Sequence, residues 1–424
     1  MRLLVISNLY PPHAYGGYEM SCRDVVERFR ARGHDVTVLT STARVPGVDD
    51  ICQPHVLRLL RPYWDWEAHA PIIRPPWRRL RREWLDHRAL ARALAVARPD
   101  VVSVWHMAGL SLSLLTDVER RGLPMVLTIC DEWPVYGPRD DAWTATVSRT
   151  PGVRHLAAAL RLPRTLPALD RCAVDVVSGR TLARIRAGSP WAFEGAQVVH
   201  SGIDLADFPV TERPGRRWSG RLLYVGRLDP AKGVETLIRA LPLLPDTTSL
   251  TILGGGNSGY RQRLSNICEE LGLAARVRID VAPRAALAGH YREADVVVFP
   301  SEWEEPFGLV PLEAMASGVP VVATGTGGSA EYLEDGGNCL LFCPGDAADL
   351  ARAVGALAAD AALRDRLVRA GQACARRLTV DAYAGTQERL HLQVVETASA
   401  RSGPRWQVCP GRRRRDPRTG REGS

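Results

Sequence analysis

The sequence predicts a two-part α/β protein in which each half is a doubly wound parallel sheet. Strand-length apolar runs alternate with helix-length amphipathic stretches along most of the chain. A polar stretch rich in Arg, Pro and Gly at 209–219 interrupts that alternation, which then restarts. The apolar runs are continuous, as in Val296-Val297-Val298-Phe299, and strands covered on both faces read this way.

Residues 2–7 read as the first buried strand, followed by a Pro-rich loop carrying Gly16-Gly17. A helix over 19–32 is stopped by Gly33. Strands follow at 35–40 and 56–60, then a helix at 75–97, a strand at 101–105, a helix at 110–121 and a strand at 125–129. Short strands at 174–178 and 198–199 close this half, set at 1–205. The second half, 206–378, opens with strand 222–225 and helix 234–244. Strands 250–253, 277–279, 296–299 and 320–323 alternate with helices 260–271, 284–292 and 309–317, and two helices run to about 377. Ligands of such sheets bind beyond the carboxyl ends of the strands, so the cleft between the halves is the expected site.

Composition narrows the function classes. With 424 residues, 46% hydrophobic and 24% charged, the chain is neither disordered nor a membrane bundle. Its apolar runs fall far short of the roughly 20 residues of a spanning helix. Residues 1–7 run straight into Asn8 and Pro11-Pro12 and read as a strand with no signal-peptide core. The net charge of +8 is uneven: residues 401–424 hold eight Arg against Asp416 and Glu422, leaving +2 for the other 400. That tail reads first as a solvated, disordered end and second as an electrostatic tether to anionic lipid or nucleic acid. The 9 cysteines form no CxxC pair, and Cys339 and Cys343 lack partners at zinc spacing, so reduced cytoplasmic thiols are expected. Of 55 cationic residues only Lys232 is a lysine, which asks what a compact point charge does there that Arg does not.

The strongest cluster is Gly226-Arg227-Leu228-Asp229-Pro230-Ala231-Lys232-Gly233, between a strand and a helix. Arg227 and Lys232 at a strand's carboxyl end suit a diphosphate, and cations at a helix N-terminus otherwise oppose its dipole. The order of residues is not that of a Walker loop. Next comes Glu305-Pro306-Phe307-Gly308-Leu309-Val310-Pro311-Leu312-Glu313. The amides of Gly308 and Leu309 would offer an anion site, while Glu305 and Glu313 would accept hydrogen bonds from hydroxyls of a sugar and a ribose. Gly16-Gly17 lets backbone approach a phosphate. Gly254-Gly255-Gly256-Asn257-Ser258-Gly259 fits G-x-G-x-x-G, with Asp280 beyond it, and supports a rival NAD-dependent oxidoreductase; one nucleotide lying across this run, with Gly254 in contact, and across the Arg227–Lys232 unit would equally explain both. His106, Cys130 and Asp131 follow strands of the first half and are possible substrate contacts. Trp77, Leu80 and Trp84 form a helical stripe ringed by Arg, which can lie on an anionic membrane; packing on the sheet with snorkelling Arg is preferred.

Arg32-Gly33-His34-Asp35-Val36-Thr37-Val38-Leu39-Thr40, Gly226-Arg227 with Lys232-Gly233, and Pro300-Ser301 through Glu305 to Glu313 together resemble retaining glycosyltransferase family four, with its GT-B fold. The run from Glu313 to Ala323 is also close to that family, and the resemblance spans about 1–395. It implies two Rossmann-like domains facing a central cleft, with a last helix, 379–400, returning to the N-terminal domain. It implies an enzyme that moves a sugar, with retained configuration, from a UDP-, GDP- or ADP-sugar to a glycan, lipid-linked or small-molecule acceptor. By that resemblance Arg227 and Lys232 hold the diphosphate, Glu313 the ribose and Glu305 the sugar, and the Gly16-Gly17 loop closes on the phosphates. No metal or other cofactor is expected, since cations and amides serve the diphosphate and no Asp-x-Asp motif stands out; no nucleic-acid partner is expected of such an enzyme. A cytoplasmic enzyme, peripheral on the inner face of the membrane or free of it, is implied. Cys130 stands where the family often has His, and His200-Ser201-Gly202-Ile203-Asp204 where Pro-Asn-Gly-x-Asp is common. A non-catalytic sugar-nucleotide-binding protein is the third reading.

Overall fold

The structure, a computed structural model, describes residues 1–402 apart from 67, 69, 213 and 214. The strands of the first half are β1 (Arg2–Ser7), β2 (Asp35–Ser41), β3 (Val56–Leu60), β4 (Trp64–Asp65), β5 (Ala70–Pro71), β6 (Val101–Val104), β7 (Met125–Ile129), β8 (Ala173–Val176) and β9 (Gln197–Val198). Seven of them form one sheet in the order β3-β2-β1-β6-β7-β8-β9, and β4 pairs with β5 in a small antiparallel hairpin. The second half contributes β10 (Arg221–Val225), β11 (Ser249–Leu253), β12 (Val277–Asp280), β13 (Val296–Phe299), β14 (Val321–Ala323) and β15 (Leu340–Leu341), ordered β12-β11-β10-β13-β14-β15. Both large sheets are parallel throughout.

The two-residue period of a strand explains why both faces need cover. Leu4 and Ile6 of β1 join a core with Val102, Val104, Leu127 and Leu90. Leu3 and Val5 point the other way, to Phe29, Val126 and Trp105. In the second half Leu222 and Tyr224 pack with Ile252 and Val298, and Leu223 and Val225 with Phe299 and Met315. Replacing such a leucine by alanine typically costs about 2–5 kcal/mol.

The last helix, Val380–Ser402, crosses back onto the first half. Tyr383, Ala384 and Leu390 complete the core around Phe29 and Trp105. Gln387 Nε2 donates to the buried Asp175 at 2.5 Å, and Glu388 meets Arg32 and His34 at 2.7 and 2.6 Å. Gly202 lies where the chain crosses: a Cβ there would sit 2.3 Å from the carbonyl carbon of Thr379. The basic tail lies, from 403 onward, outside the described residues.

Several expectations shift. The first helix starts at Gly17, because Glu19 folds back to accept the Gly16 amide at 3.0 Å. The segment after β7, to which the sequence assigns no element, holds helices Trp133–Asp140, Ala142–Arg149 and Pro151–Ala159. The stripe on helix Pro76–Ala97 does not pack on the sheet. Leu80 and Trp84 pack on Trp143, Val147, Val153, Ala157 and Leu162, while Trp77 stays 68% exposed. The 209–219 stretch is tied to the second half, with Arg216 bridging to Asp295 at 2.9 Å and Thr211 accepting from Gln372 at 2.8 Å.

Candidate active site

Each sheet reverses its strand order beside its first strand: β1 lies between β2 and β6, and β10 between β11 and β13. Connections leaving neighbouring strands there diverge to opposite faces and open a crevice. The two crevices share a cleft of about 2320 Å³. Every site residue picked out from the sequence lines it except Asp280 of the dinucleotide reading. Gly16 and Gly17, His106, Cys130 and Asp131 enter from the first half, and Arg227, Lys232, Gly254, Glu305, Gly308, Leu309 and Glu313 from the second.

The Arg227–Lys232 loop does not run directly into a regular helix. Pro230–Lys232 forms one 3-10 turn, and the α-helix begins at Val234. Lys232 therefore stands on the turn, aimed across at the segment after β13. Its ammonium donates to Glu305 Oε1, which also accepts from Ser301 Oγ at 2.8 Å, and it lies 5.3 Å from the centre of the Trp303 ring. Both partners are largely buried, with 17% and 8% side-chain exposure. Arg227 differs: its nearest carboxylate, Asp229, is 3.8 Å away and its side chain is 42% exposed. Of these two cations, Lys232 is committed to a carboxylate and Arg227 is available.

Gly308 takes φ +84°, and Tyr332 clamps its carbonyl. The helix beyond begins at Val310, later than expected, and the Gly308 and Leu309 amides donate no hydrogen bond among the described residues. Glu313 is buried and accepts from Tyr291 at 2.7 Å, with Arg284 at 3.4 Å. Burial raises its pKa, opposed by the Arg284 charge. Tyr291 and Arg284 were not foreseen. Arg284 opens a helix after Pro283 and is the same oddity, a cation at a helix N-terminus, that singled out Lys232.

The glycine-rich run after β11 serves packing against the neighbouring loop. A Cβ on Gly254 would stand 1.8 Å from the Gly226 carbonyl oxygen. Gly226 and Leu228 donate their amides to Leu253 and Gly255 at 3.1 and 2.8 Å, so the two loops form one backbone unit. Asp280 bonds Arg278 at 2.6 Å rather than reaching into a ribose site. This corrects the dinucleotide reading: the spacing that mimics a fingerprint arises from the close approach of β10 and β11.

On the opposite wall His106 is buried and stacked on Tyr18, with ring centres 4.7 Å apart. Its Nδ1 and Nε2 lie 3.4 Å from Glu19 and Asp131, in ion-pair range but without an aligned hydrogen bond. Burial alone lowers its pKa, yet the two carboxylates prevail and lift it to about 9. Asp131 is fixed by Tyr136 at 2.5 Å and by the Trp133 amide at 3.1 Å. Cys130 turns away toward Tyr383, Sγ 3.9 Å from its hydroxyl, and burial pushes the thiol pKa well up. A protonated imidazole between two carboxylates offers donors and acceptors to hydroxyls.

Comparison with known proteins decides the family. The model "Glycosyltransferase Family 4" matches residues 15–207, and "Glycosyl transferases group 1" matches 219–373. Glycogen synthase of Mycobacterium tuberculosis is 30% identical over 415 residues, covering 90% of this chain and 91% of that one. The chain belongs to glycosyltransferase family 4. A D-inositol 3-phosphate glycosyltransferase of Mycolicibacterium vanbaalenii is 38% identical over a shorter stretch of 193 residues, 40% of this chain and 42% of that one. Among solved structures, sucrose-phosphate synthase from Thermosynechococcus elongatus superposes with a TM-score of 0.69 at 24% identity, over 93% of this chain and 99% of the other. Anabaena HepE in complex with UDP gives 0.65 at 20% identity, over 94% and 100%. These two likenesses establish the GT-B fold of this glycosyltransferase. The family assignment displaces the oxidoreductase reading.

Proposed function

We propose that this glycosyltransferase transfers a sugar from a nucleoside-diphosphate donor with retention of anomeric configuration, the donor lying along the second half and the acceptor along the first. The observation that carries the reading is the convergence of Arg227, Lys232, Glu305 and Glu313 on one cleft wall beside the free Gly308 and Leu309 amides. Carboxylates repel phosphate, so Glu313 takes ribose hydroxyls and Glu305 sugar hydroxyls. Arg227, the amides and Lys232 take the diphosphate. The relative whose solved structure contains UDP makes a uridine donor a natural first trial, with GDP- and ADP-sugars as the alternatives.

As the glycosidic bond breaks, negative charge grows on the leaving diphosphate. Lys232 then gains a stronger partner than Glu305, and its hold on the transition state exceeds its hold on the ground state. Glu305, released from the ammonium, becomes a better acceptor for the sugar. Opposite, Asp131 and His106 orient the incoming hydroxyl. A cytoplasmic setting accords with the eight cysteines among the described residues, all free thiols.

Proton NMR of donor turnover tests this. The enzyme is incubated with UDP-, GDP- and ADP-α-hexoses, and the anomer first released to water or transferred is read. An α-product supports the reading and a β-product overturns retention. No turnover and no binding of any of the three donors would overturn nucleotide-sugar transfer.

A further inference from the structure

Charge is distributed in a way the cleft does not explain. Residues 74–82 hold five Arg and 142–169 hold four, and neither stretch contains an Asp or Glu. The first 400 residues together carry only +2, so the rest of the body is net negative. Two distant segments are thus one-signed, and the fold brings them together. Helix Pro76–Ala97 packs on the pair Ala142–Arg149 and Pro151–Ala159 through Leu80 and Trp84. Arg79 ties the seam, donating to Thr146 Oγ1 at 2.9 Å.

Two of the nine guanidiniums are used internally, Arg79 in that seam and Arg82 on the Pro62 carbonyl at 2.5 Å. Arg78, Arg81, Arg149, Arg154 and Arg164 are exposed and have no ion pair or side-chain hydrogen bond among the described residues. Helical spacing sets Trp77, Arg78 and Arg81 on the side opposite the buried Glu83, His87 and Leu90. Large apolar side chains stand exposed on or beside the same two segments: Ile73 is 83% exposed, Trp77 68%, Leu156 56% and Leu160 46%. Arg79, Ala142 and Ala145 also line the cleft, so this face borders its mouth on the first half.

We propose that this face seats the enzyme on an anionic lipid bilayer, with the acceptor side of the cleft opening at the membrane surface and the acceptor presented from it. The inference rests on the transferase reading above and names its acceptor class as lipid-linked. Guanidiniums pair bidentately with lipid phosphates. Trp favours the headgroup region, and Ile and Leu enter the acyl boundary. The same cations would suit a nucleic acid backbone, but three exposed aliphatic side chains have no task there and do have one in a bilayer.

The test is co-sedimentation of the full chain with vesicles of 30% phosphatidylglycerol in phosphatidylcholine, against pure phosphatidylcholine, at 0.1 and 0.5 M NaCl. Binding to the anionic vesicles alone is expected, weakened by salt. It should fall at least tenfold in R78E/R81E/R154E and severalfold in W77S. A full-length variant with Arg412 to Arg415 replaced by Ser separates the tail's share. Binding that survives the face variants and disappears with the tail variant overturns the proposal. So does binding to duplex DNA that matches the vesicles and ignores W77S. Thermal stabilisation by a nucleoside diphosphate is read on every variant. Lost vesicle binding with retained nucleotide binding is the expected signature of the face variants, whereas a wild type that binds nucleotide but no vesicle refutes this inference alone.

Discussion

Lys232→Met separates what the lone lysine does for stability from what it does for turnover. Among the described residues its ammonium and the Ser301 hydroxyl are the two donors to the Glu305 carboxylate, whose side chain is only 8% exposed. Methionine keeps the length and packing against Trp303 and removes the charge. Glu305 is then a nearly buried carboxylate held by one hydroxyl at 2.8 Å. Breaking a buried pair from one side costs about 3–5 kcal/mol, and the residual 17% exposure of Lys232 puts this site at or below the lower end. At roughly 2–4 °C per kcal/mol for a domain of this size, a drop in Tm of no more than about 6–12 °C is expected. Replacing both partners, K232M/E305Q, removes the orphaned charge and should recover most of that loss. Turnover should not recover, because a cation lost from the developing diphosphate charge costs about 10²–10³ in kcat. Differential scanning fluorimetry and donor-release kinetics on the two variants read the outcomes independently. A double variant that regains turnover, or a single variant that keeps it, would refute the diphosphate role.

Other expectations follow from the same contacts. His106 is lifted to about 9 from an ordinary value near 6.5, so its stabilising contribution is full below about pH 6.5 and fades as pH rises through 9. In His106→Gln the alkaline fall in Tm across that window should shrink, though not vanish, because His87 is likewise lifted to about 9; an unchanged fall would contradict the charged imidazole. Gln387→Leu leaves Asp175 with Thr128 alone at 3.0 Å and should cost about 1–3 kcal/mol by urea denaturation, with no such loss refuting the pinned crossing of the last helix. Gly202→Ala forces a Cβ into the Thr379 carbonyl and should destabilise by about 1–3 kcal/mol, whereas a neutral result would mean that the crossing yields freely.

Much of this was legible in the residues because the signals are local. Continuous apolar strands, the loops at their carboxyl ends and the restart after 219 located both sheets and the cleft between them. The pairing of Lys232 with Glu305 was not legible, since the partners lie 73 residues apart and meet only when β10 and β13 become neighbours. Helices at 133–159 were hidden by Pro134, Gly137, Pro138 and Pro151, which read as breakers although Pro134 and Pro151 fall in first turns, where proline is tolerated. The Gly254 run misled for a related reason. Glycines needed for close backbone approach look the same in sequence whether the neighbour is a phosphate or the Gly226 carbonyl.

The central claim is that a nucleoside-diphosphate sugar occupies the Arg227–Lys232–Glu313 wall. The most direct measurement is thermal stability with UDP, GDP, ADP and NAD added separately. A ligand at about 100 times its Kd adds roughly 2.7 kcal/mol. The account predicts a clear rise in Tm with one nucleoside diphosphate, lost in Arg227→Ala, and none with NAD. A rise with NAD alone, or with no nucleotide at all, would contradict it.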